Sequence, residues 1–219
     1  MPESRSAQLK RVAGIYDELA PTWDRRVGLL ERWLVGTSFR KHLGSSLRGT
    51  VLEIGSGSGA TIPYVTFGPD AVTSLVGTDL SLGMLNQIKR DRSEIQLSRM
   101  SADNLAFHDN TFDVVTCSLV LCTVPDPERA LREMSRVCKS EGQIVLLEHV
   151  LAPNRFLAWM QRKLSPAQER QLGCHFDRAT DKLLQHLGFE IISQRRRFFG
   201  IFVLCVTRPI GVGPGVATA

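Results

Sequence analysis

The sequence has no long apolar run, and this absence narrows the class of protein at once. No apolar segment approaches the roughly 18 residues that a transmembrane helix needs. The first residues, MPESRSAQLKRVAG, are polar and lack the apolar core of a signal peptide. We therefore expect a cytoplasmic protein. Its 219 residues favour a single domain, long enough to bury roughly 70% of its unfolded surface.

The cysteines lack the spacing of a disulfide framework or of a zinc motif. Their number is odd and no two of them form a CxxC pair. They are Cys117, Cys122, Cys138, Cys174 and Cys205. Four lie among apolar residues, where a free thiol behaves as a small hydrophobic side chain. Cys174 differs because it stands beside His175 in a polar stretch. The sequence predicts no metal site.

A nucleic-acid partner has little support, although charge is unevenly distributed. The net charge is +4 over residues 1–50, −5 over residues 51–150 and +6 over residues 151–219. The run Arg195-Arg196-Arg197 is basic, but few aromatic residues alternate with basic ones and no RNA-binding signature is present. We expect a solvated basic face and no nucleic-acid partner. Contact with an anionic membrane surface is an alternative that the basic flanks leave open.

From residue 50 onward, short apolar segments alternate with helical patterns. TVLEIG, VTSLVGTD, EIQLSRM, FDVVTCSLV and GQIVLLEHV predict strands, while SLGMLNQIKRD and DPERALREMSRVC predict helices that begin at the N-caps Ser81 and Asp126. Residues 155–172 and 177–187 predict two more helices. Strands that alternate with helices indicate parallel βαβ units. FEIISQRRRFFGIFVLCVT predicts two strands joined near Gly200, and hence an antiparallel edge.

The expected fold class is therefore α/β, a doubly wound, mostly parallel seven-stranded sheet of the Rossmann-like type with an antiparallel edge strand. Residues 8–43 predict two amphipathic helices broken near LAPTWD. We expect residues 1–49 to cover the ligand site and residues 50–207 to form the core. Within that core, residues 151–180 are expected to shape an acceptor pocket. Residues 208–219 predict a disordered tail.

The segment VLEIGSGSGATIPYV, residues 51–65, has glycines at alternate positions where a strand gives way to a helical pattern. This turn satisfies the dinucleotide-binding fingerprint, in which backbone N–H groups face a ligand. Asp79 ends the second predicted strand, 20 residues beyond Gly59, where a carboxylate accepts hydrogen bonds from ribose hydroxyls. The pattern predicts a cofactor of the adenosine type, and several such cofactors use it.

Two features count against a nicotinamide dinucleotide. Glu53 stands two residues before the turn, where a carboxylate is poorly placed beside a pyrophosphate but suits a turn that receives an ammonium group. Only about 70 residues follow the fifth predicted strand, which is little for a separate substrate region. An NAD-dependent oxidoreductase is the alternative from a different class of enzyme.

Four segments together resemble the class I S-adenosylmethionine-dependent methyltransferases, in the small-molecule branch that includes quinone C-methyltransferases. They are VLEIGSGSG, GTDLSLGML, SADNLAFHDNTFDVV and RALREMSRVCKSEGQIVLLEHV. The resemblance covers about residues 12–206 and implies S-adenosylmethionine as the cofactor and a small molecule as the methyl acceptor. With the adjoining side chains, the candidate cofactor-binding residues are Glu53, Gly55, Ser56, Gly57, Gly59, Asp79, Leu80, Met84, Ser101, Ala102, Asp103 and Ser118.

The resemblance also implies a role for each part of this set. The glycine turn would contact the amino-acid end of the cofactor, Asp79 the ribose, and Leu80 and Met84 the adenine. Many relatives carry Asp at the position of Ser101, so the partner of the adenine amino group stays open within the segment SAD. Ser118 would lie below the transferable methyl group.

A closer resemblance bears on the acceptor. VVTCSLVLCTVPDPERALREMSRV, LLEHV and GCHFDRAT are similar to segments of the microsomal alkyl thiol methyltransferases of animals. This similarity implies a thiol sulfur as the acceptor. Those proteins have an apolar N-terminal membrane segment that this sequence lacks, so membrane attachment is not expected to carry over. The alternative is methylation of carbon, oxygen or nitrogen on a quinone, a natural product or a phospholipid head group.

His149 is the first candidate for a catalytic side chain. It ends the fifth predicted strand, where open α/β sheets bind ligands, and an imidazole there would raise the thiolate fraction of an acceptor. Tyr16 is the second candidate, because it could close over the cofactor or touch the acceptor. Core packing is the alternative for Tyr16, and backbone hydrogen bonding for His149. Glu148 could orient His149 or simply end the strand, and His175 and Arg178 rank below His149.

Overall fold

The computed structural model describes residues 3–88 and 94–210, and its strands form one sheet. The strands are β1 (Gly49–Ile54), β2 (Val72–Asp79), β3 (Ile95–Arg99), β4 (Phe112–Ser118), β5 (Cys138–His149), β6 (Ile191–Arg197) and β7 (Phe202–Thr207). Their order across the sheet is β3-β2-β1-β4-β5-β7-β6. The first five strands in this order run parallel, whereas β7 is antiparallel to both β5 and β6. The predicted fold class is confirmed.

Seven α-helices accompany the sheet in the described part of the chain. They are α1 (Arg5–Leu19), α2 (Leu29–Val35), α3 (Thr37–Ser45), α4 (Leu82–Leu85), α5 (Pro127–Val137), α6 (Arg155–Leu172) and α7 (Thr180–His186). Shorter helical turns span Ala20–Thr22, Asp24–Gly28 and Ile62–Tyr64. None of the helices in the described ranges is both long and apolar enough to cross a membrane.

The N-terminal region contains three helices where the sequence predicts two. α1 ends before Pro21, as expected, and two short turns follow it. Gly36, with a φ of +78°, then separates α2 from α3, so the second predicted helix is divided. A left-handed residue interrupts the helical hydrogen-bond ladder, and glycine adopts that conformation at the lowest cost.

The fourth helix is shorter than its sequence pattern. Ser81 caps α4 as predicted, with its Oγ accepting a hydrogen bond from the N–H of Met84 at 3.1 Å. The α-helix extends only over Leu82–Leu85. Residues 89–91 of the predicted helix lie outside the described residues. Asp126 caps α5 in the same way, accepting from the N–H of Arg129 at 3.0 Å.

The two faces of the sheet are both buried, as the continuous apolar pattern of β5 predicts. Ile144 and Leu146 pack into a core that includes residues of α5 and α7. Val145 and Leu147 pack on the opposite face, in a core that includes residues of α3. All four side chains are at most 2% exposed. The central strands therefore form a rigid platform for the loops at their carboxyl ends.

The beginning of the predicted tail is held against the domain. The N–H of Arg208 donates to the carbonyl of Glu190 at 3.0 Å, and that of Ile210 donates to Ser135 Oγ at 2.7 Å. The prediction of a disordered tail therefore begins too early. Residues 211–219 lie outside the described residues.

Candidate functional site

A pocket of about 440 Å³ lies over the carboxyl ends of β1 to β5. From β1 the chain first adds β2 and β3 on one side, and later adds β4 and β5 on the other side. The pocket therefore lies at the point where the strand order reverses. Twelve of the residues predicted from the sequence line it: Tyr16, Glu53, Gly55, Ser56, Gly57, Asp79, Leu80, Met84, Ser101, Ala102, Ser118 and His149. Gly59 and Asp103, from the same prediction, are not among the lining residues.

The glycine turn depends on glycine for two different reasons. Gly55 has a φ of +63°, and a Cβ there would lie 2.3 Å from Cγ2 of Val120. Any other residue would therefore force the turn after β1 away from the turn after β4. Gly59 has a φ of +83°, and a Cβ there would crowd two isoleucine side chains at 3.0 and 3.2 Å. Gly59 thus serves the packing behind the turn.

Asp79 fixes the glycine turn to the end of β2. Its Oδ2 accepts a hydrogen bond from the N–H of Gly57 at 2.9 Å, and its Oδ1 accepts one from the N–H of Ser81 at 2.8 Å. Burial raises the pKa of Asp79, while these backbone bonds oppose the rise. Each oxygen keeps a further lone pair, which is what a pair of ribose hydroxyls requires.

Glu53 carries an unpaired buried atom at the pocket wall. The residue is 2% exposed, and its Oε2 has no hydrogen-bond partner among the described residues. Burial raises its pKa, while the hydroxyls of Thr61 and Ser56 and the charge of Arg40 lower it. The ammonium group of S-adenosylmethionine would provide the missing partner, so this end of the pocket fits the expected cofactor.

Arg40 is a pocket residue that sequence reasoning missed. It lies on α3, is 4% exposed, pairs with Glu31 and donates from Nη1 to Ser118 Oγ at 3.4 Å. Burial lowers the pKa of Arg40, and the charge of Glu53 opposes this. The sequence did contain a signal, because Arg40 stands three residues before the buried Leu43 and so shares its helix face.

The third cofactor segment points its acidic residue away from the pocket. The carboxylate of Asp103 accepts two hydrogen bonds from Arg5 on α1, at 2.7 and 2.8 Å, and another from Ser101 Oγ. This ion pair accounts for the position of Asp103 outside the lining. Ser101 and Ala102 do line the pocket, so a contact between them and the adenine stays a prediction.

Side chains of helix α1 line the pocket, and the expectation that the N-terminal region covers a bound ligand stays a prediction. Tyr16 lines the pocket and lies 5.4 Å from the ring of Trp23, centroid to centroid. Burial raises the pKa of Tyr16 well above its usual range, so the phenol is neutral. On the same helix, Asp17 Oδ1 accepts from Ser81 Oγ at 2.5 Å and from the N–H of Gly83 at 2.8 Å. Helix α1 is thus fastened to the start of α4.

The other end of the pocket, next to the carboxyl ends of β4 and β5, contains an imidazole and two thiols. His149 is 6% exposed, and its Nε2 lies 3.2 Å from Cys174 Sγ. A side-chain ligand atom from each of Cys122, His149 and Cys174 lies within 4.8 Å of the other two. All three residues line the pocket, and the ring of Phe176 meets that of His149 edge-on at 5.2 Å. We call this region the acceptor end.

The three groups at the acceptor end shift one another's protonation. The hydrogen bonds from Cys122 and His149 lower the pKa of Cys174 to about 5, although burial alone would raise it. The pKa of Cys122 rises well above its usual range because of the hydrogen bond to Cys174 and burial. Burial lowers the pKa of His149, but the hydrogen bond to Cys174 and the charge there outweigh it. These directions favour loss of the proton from Cys174 over loss from Cys122.

Glu148 does not orient His149. Its Oε1 accepts from the N–H groups of Val120 and Leu121, at 2.8 and 3.0 Å. The turn that it holds begins at Leu119, whose φ of +58° is unusual for a leucine. The sequence left open whether Glu148 orients His149 or simply ends the strand. Its hydrogen bonds show a third role, because they fix the loop after β4.

His175 and Arg178 also act through the backbone. The N–H of His175 donates to the carbonyl of Cys122 at 2.9 Å. The guanidinium of Arg178 donates to the carbonyls of Leu121 and, at 2.6 Å, Val124. Neither residue lines the pocket. They join the segment after α6 to the loop after β4, and this brings Cys174 next to Cys122.

A family model described as a methyltransferase domain matches residues 52–146. The match runs from β1 into β5 and so includes the glycine turn, Asp79 and Ser118.

Among curated proteins, a phosphatidylethanolamine N-methyltransferase of Cereibacter sphaeroides is 32% identical over 152 residues, which cover 67% of this chain and 72% of that protein. A demethylmenaquinone methyltransferase of Paenarthrobacter aurescens is 35% identical over 166 residues, or 70% of this chain and 62% of that protein. The thiol S-methyltransferase TMT1B of Rattus norvegicus is 32% identical over 158 residues, or 68% and 64%. The chain thus spans less than two thirds of the length of the last two relatives.

Among solved structures, an SAM-dependent methyltransferase of Aquifex aeolicus matches with a TM-score of 0.62. The match covers 89% of this chain and 98% of that one at 14% sequence identity, so it bears on the fold alone.

Proposed function

Because the chain belongs to the S-adenosylmethionine-dependent methyltransferases, we propose that it methylates the sulfur of a small-molecule thiol. The cofactor is S-adenosylmethionine, and the enzyme acts on a small molecule. This membership removes the alternative of an NAD-dependent oxidoreductase. The acceptor atom is the part that we propose, and the relatives named above act on acceptors of different kinds.

The observation that carries the thiol assignment is the composition of the acceptor end. It brings an imidazole and two thiols together, with the ring of Phe176 against the imidazole. A soft, polarizable sulfur acceptor suits such a surface, and a neighbouring imidazole favours its deprotonated form. The similarity to a thiol S-methyltransferase supports the same acceptor. The five free cysteines suit a reducing compartment, and the proposal places the reaction in the cytoplasm.

When bound, the cofactor provides an activated methyl group on a sulfonium sulfur, and that sulfur is the leaving group when an aligned nucleophile takes the methyl. The chain has to hold the acceptor in line behind that methyl and to exclude water. Helix α1, with Tyr16, provides the cover. In this proposal His149 favours loss of the proton from the acceptor thiol. Transfer of the methyl group to the acceptor sulfur would break the methyl–sulfonium bond and yield a thioether, S-adenosylhomocysteine and one proton.

The second candidate is methylation of the amino head group of a phospholipid. The specific observation is an aromatic pair on α6, Phe156 and Trp159, whose ring centroids lie 6.1 Å apart in a stacked arrangement. Their side chains are 65% and 54% exposed. Arg155, Arg162 and Lys163 lie on the same helix, so this helix has the composition of a segment that rests on an anionic lipid surface. The sequence similarity to a phosphatidylethanolamine N-methyltransferase points the same way.

The deciding experiment incubates the full chain with methyl-labelled S-adenosylmethionine and a panel of acceptors, read by mass spectrometry. The panel contains aliphatic thiols, aryl thiols, phenols, quinols, amines and phosphatidylethanolamine vesicles. We expect label on thiols. Label only on carbon, oxygen or nitrogen would refute the thiol assignment while leaving the family and the cofactor in place.

A paired substitution tests the role of the imidazole. His149→Ala should lower turnover of the labelled acceptor by roughly 100-fold, in the range expected for a positioned acid–base group. Its affinity for S-adenosylhomocysteine should stay within about twofold, as calorimetry would show. The control is His186→Ala, which removes an exposed imidazole at the end of α7. Equal turnover in the two variants would remove His149 from the reaction.

A further inference from the structure

Cys122, His149 and Cys174 converge from three separate parts of the chain. Cys122 lies in the loop after β4, His149 at the end of β5, and Cys174 in the segment between α6 and α7. Their ligand atoms nevertheless lie within 4.8 Å of one another, with 3.2 Å between His149 Nε2 and Cys174 Sγ. Two sulfur atoms and an imidazole nitrogen at this separation form a set of ligand atoms that could hold one metal ion.

We propose that these three side chains bind Zn²⁺, with the fourth coordination position open to the pocket. Zinc takes thiolate and imidazole ligands at about 2.3 and 2.0–2.1 Å in tetrahedral geometry, which separates the donor atoms by roughly 3.5–3.8 Å. The observed spacing is compatible with this after small side-chain adjustments. Hard cations such as Mg²⁺ and Ca²⁺ prefer oxygen ligands, which this cluster does not offer.

The backbone around the cluster is fixed before any metal binds. The carbonyl of Cys122 accepts from the N–H of His175, so the two cysteine-bearing segments are joined beside their thiols. Gln161, which is 2% exposed on α6, donates from Nε2 to the carbonyls of Val150 and Phe176 at 3.0 and 3.1 Å. One side chain thus ties the residue after His149 to a residue near Cys174. A preformed ligand frame of this kind lowers the cost of ordering a site.

The imidazole presents the required nitrogen. Nε2 of His149 faces the thiol of Cys174, while Nδ1 is buried without a hydrogen-bond partner among the described residues. The ring orientation is therefore set by packing, including the edge-on contact with Phe176, and not by a second hydrogen bond. In many zinc sites a carboxylate or carbonyl has this orienting role.

An open position turns the site from a structural into a catalytic one. Structural zinc sites have four protein ligands, whereas catalytic sites have three and keep one position for water or substrate. Because all three residues line the pocket, the open position faces the space where the acceptor binds. An acceptor thiol would replace water there and release its proton to solvent, since a coordinating thiol is deprotonated by the metal.

The zinc-bound sulfur would then attack the methyl group as in the proposed reaction, and the thioether would leave the metal. In that state His149 is a ligand, and the metal, not the imidazole, favours the thiolate. This role in thiol activation rests on the proposed function. The metal binding itself does not, because it depends only on the three side chains.

The test uses the full chain without a polyhistidine tag, kept reduced, stripped with a chelator and titrated with Zn²⁺ against a chromophoric competitor. We expect about one equivalent of zinc per chain. Substitution by Co²⁺ should give sulfur-to-metal charge-transfer bands and the intense visible bands of a tetrahedral site. Cys122→Ser, Cys174→Ser and His149→Ala should each weaken binding by more than about 100-fold, beyond the effect of changing a residue that only supports a ligand. Each variant should still bind S-adenosylhomocysteine.

Cys205→Ala is the matched control, because this thiol is 2% exposed on β7 and does not line the pocket. It should bind zinc as the unchanged chain does. No zinc uptake by the reduced chain, or uptake that the three substitutions leave unaltered, would overturn the site. A disulfide between Cys122 and Cys174 in the reduced preparation would overturn it as well. Zinc uptake together with equal thiol turnover in stripped and loaded protein would retain the site and refute its role in the reaction.

Discussion

The pocket has a cofactor end, at the glycine turn and Asp79, and an acceptor end, and the two are assembled by different kinds of contact. At the cofactor end, the facing groups follow directly from β1, β2 and β3, and Asp79 is fixed by two backbone N–H groups close to it in the fold. At the acceptor end, the facing groups are the side chains of Cys122, His149 and Cys174, which come from segments separated by about 25 residues. The first end depends on local turns, and the second depends on how distant segments dock.

This difference indicates that the two ends can be altered separately. If the comparison holds, a change in the strand-end carboxylate should weaken cofactor binding and leave the docking of α6 in place. A change in the contacts of α6 shifts the acceptor end but leaves the turn after β1 unaltered. The predictions that follow test this separation, beginning with the largest expected effect.

Asp79→Ala should weaken S-adenosylhomocysteine binding by roughly 100-fold. Two hydrogen bonds to a carboxylate, at about 1.5 kcal/mol each, account for a loss of this size. The substitution also frees the N–H groups of Gly57 and Ser81 that the carboxylate holds. Calorimetry measures the affinity, and Asp70→Ala in an exposed loop is the control. A loss below about threefold would show that Asp79 holds the turn without contacting the ribose.

The same variant tests the separation of the two ends. With cofactor raised to saturation, Asp79→Ala should keep an apparent KM for the acceptor within about twofold of the unchanged chain. A parallel rise in that KM would show that the ends are coupled through the pocket, and the comparison would then fail.

Gln161→Ala should have the opposite selectivity. Its side chain makes three hydrogen bonds, two of them fully buried: it accepts from the N–H of Ala152 at 2.7 Å and donates to the carbonyls of Val150 and Phe176. Leaving these groups without partners should cost about 2 kcal/mol of unfolding free energy, measured by denaturant titration. The acceptor KM should rise about tenfold because the segment bearing Cys174 shifts.

Cofactor affinity should be unaffected in Gln161→Ala, and Gln185→Ala, exposed on α7, should change none of the three quantities. An unaltered acceptor KM in a destabilised Gln161→Ala would mean that this clamp stabilises the fold without positioning the acceptor end.

The fold could be predicted because its signals are local. Five apolar strands with intervening caps at Ser81 and Asp126 define a parallel sheet, and the late strands around Gly200 define the antiparallel edge. The division between α2 and α3 was missed because one glycine with positive φ decides it, and a single glycine within a helical pattern is ambiguous.

The site divides in the same way. The glycine turn and Asp79 are read from one short motif and one strand end, and both line the pocket. Arg40 was missed because the helix face that it shares with Leu43 becomes a pocket wall only when α3 docks on the sheet. The grouping of Cys122 with Cys174 was missed because no spacing in the sequence brings two segments 52 residues apart together. Docking of this kind is a property of tertiary packing and has no period or motif.

The amino-terminal ends of the central strands lie away from both ends of the pocket and should contribute to stability alone. Asp113, near the start of β4, accepts hydrogen bonds from the N–H and Oγ1 of Thr50 and from Lys139 Nζ, at 2.8, 2.7 and 2.6 Å. These bonds outweigh burial and lower the pKa of Asp113 to about 2, below the value of about 3.9 for an unfolded chain. The folded state therefore favours the charged form. The resulting stabilisation is present above about pH 4 and is lost as the pH falls towards 2.

Asp113→Asn should therefore lower the unfolding free energy near neutral pH by less than about 1 kcal/mol, because solvent screens a half-exposed pair. The loss of stability between pH 5 and pH 3 should also be smaller in this variant than in the unchanged chain. Denaturant titrations at the two pH values measure both effects. Cofactor affinity and acceptor KM should not change, since Asp113 lies at the amino-terminal ends of the strands and the pocket lies at their carboxyl ends. A change in the cofactor affinity or in the acceptor KM would mean that the sheet transmits strain along its strands, so that neither end of the pocket depends on its own contacts alone.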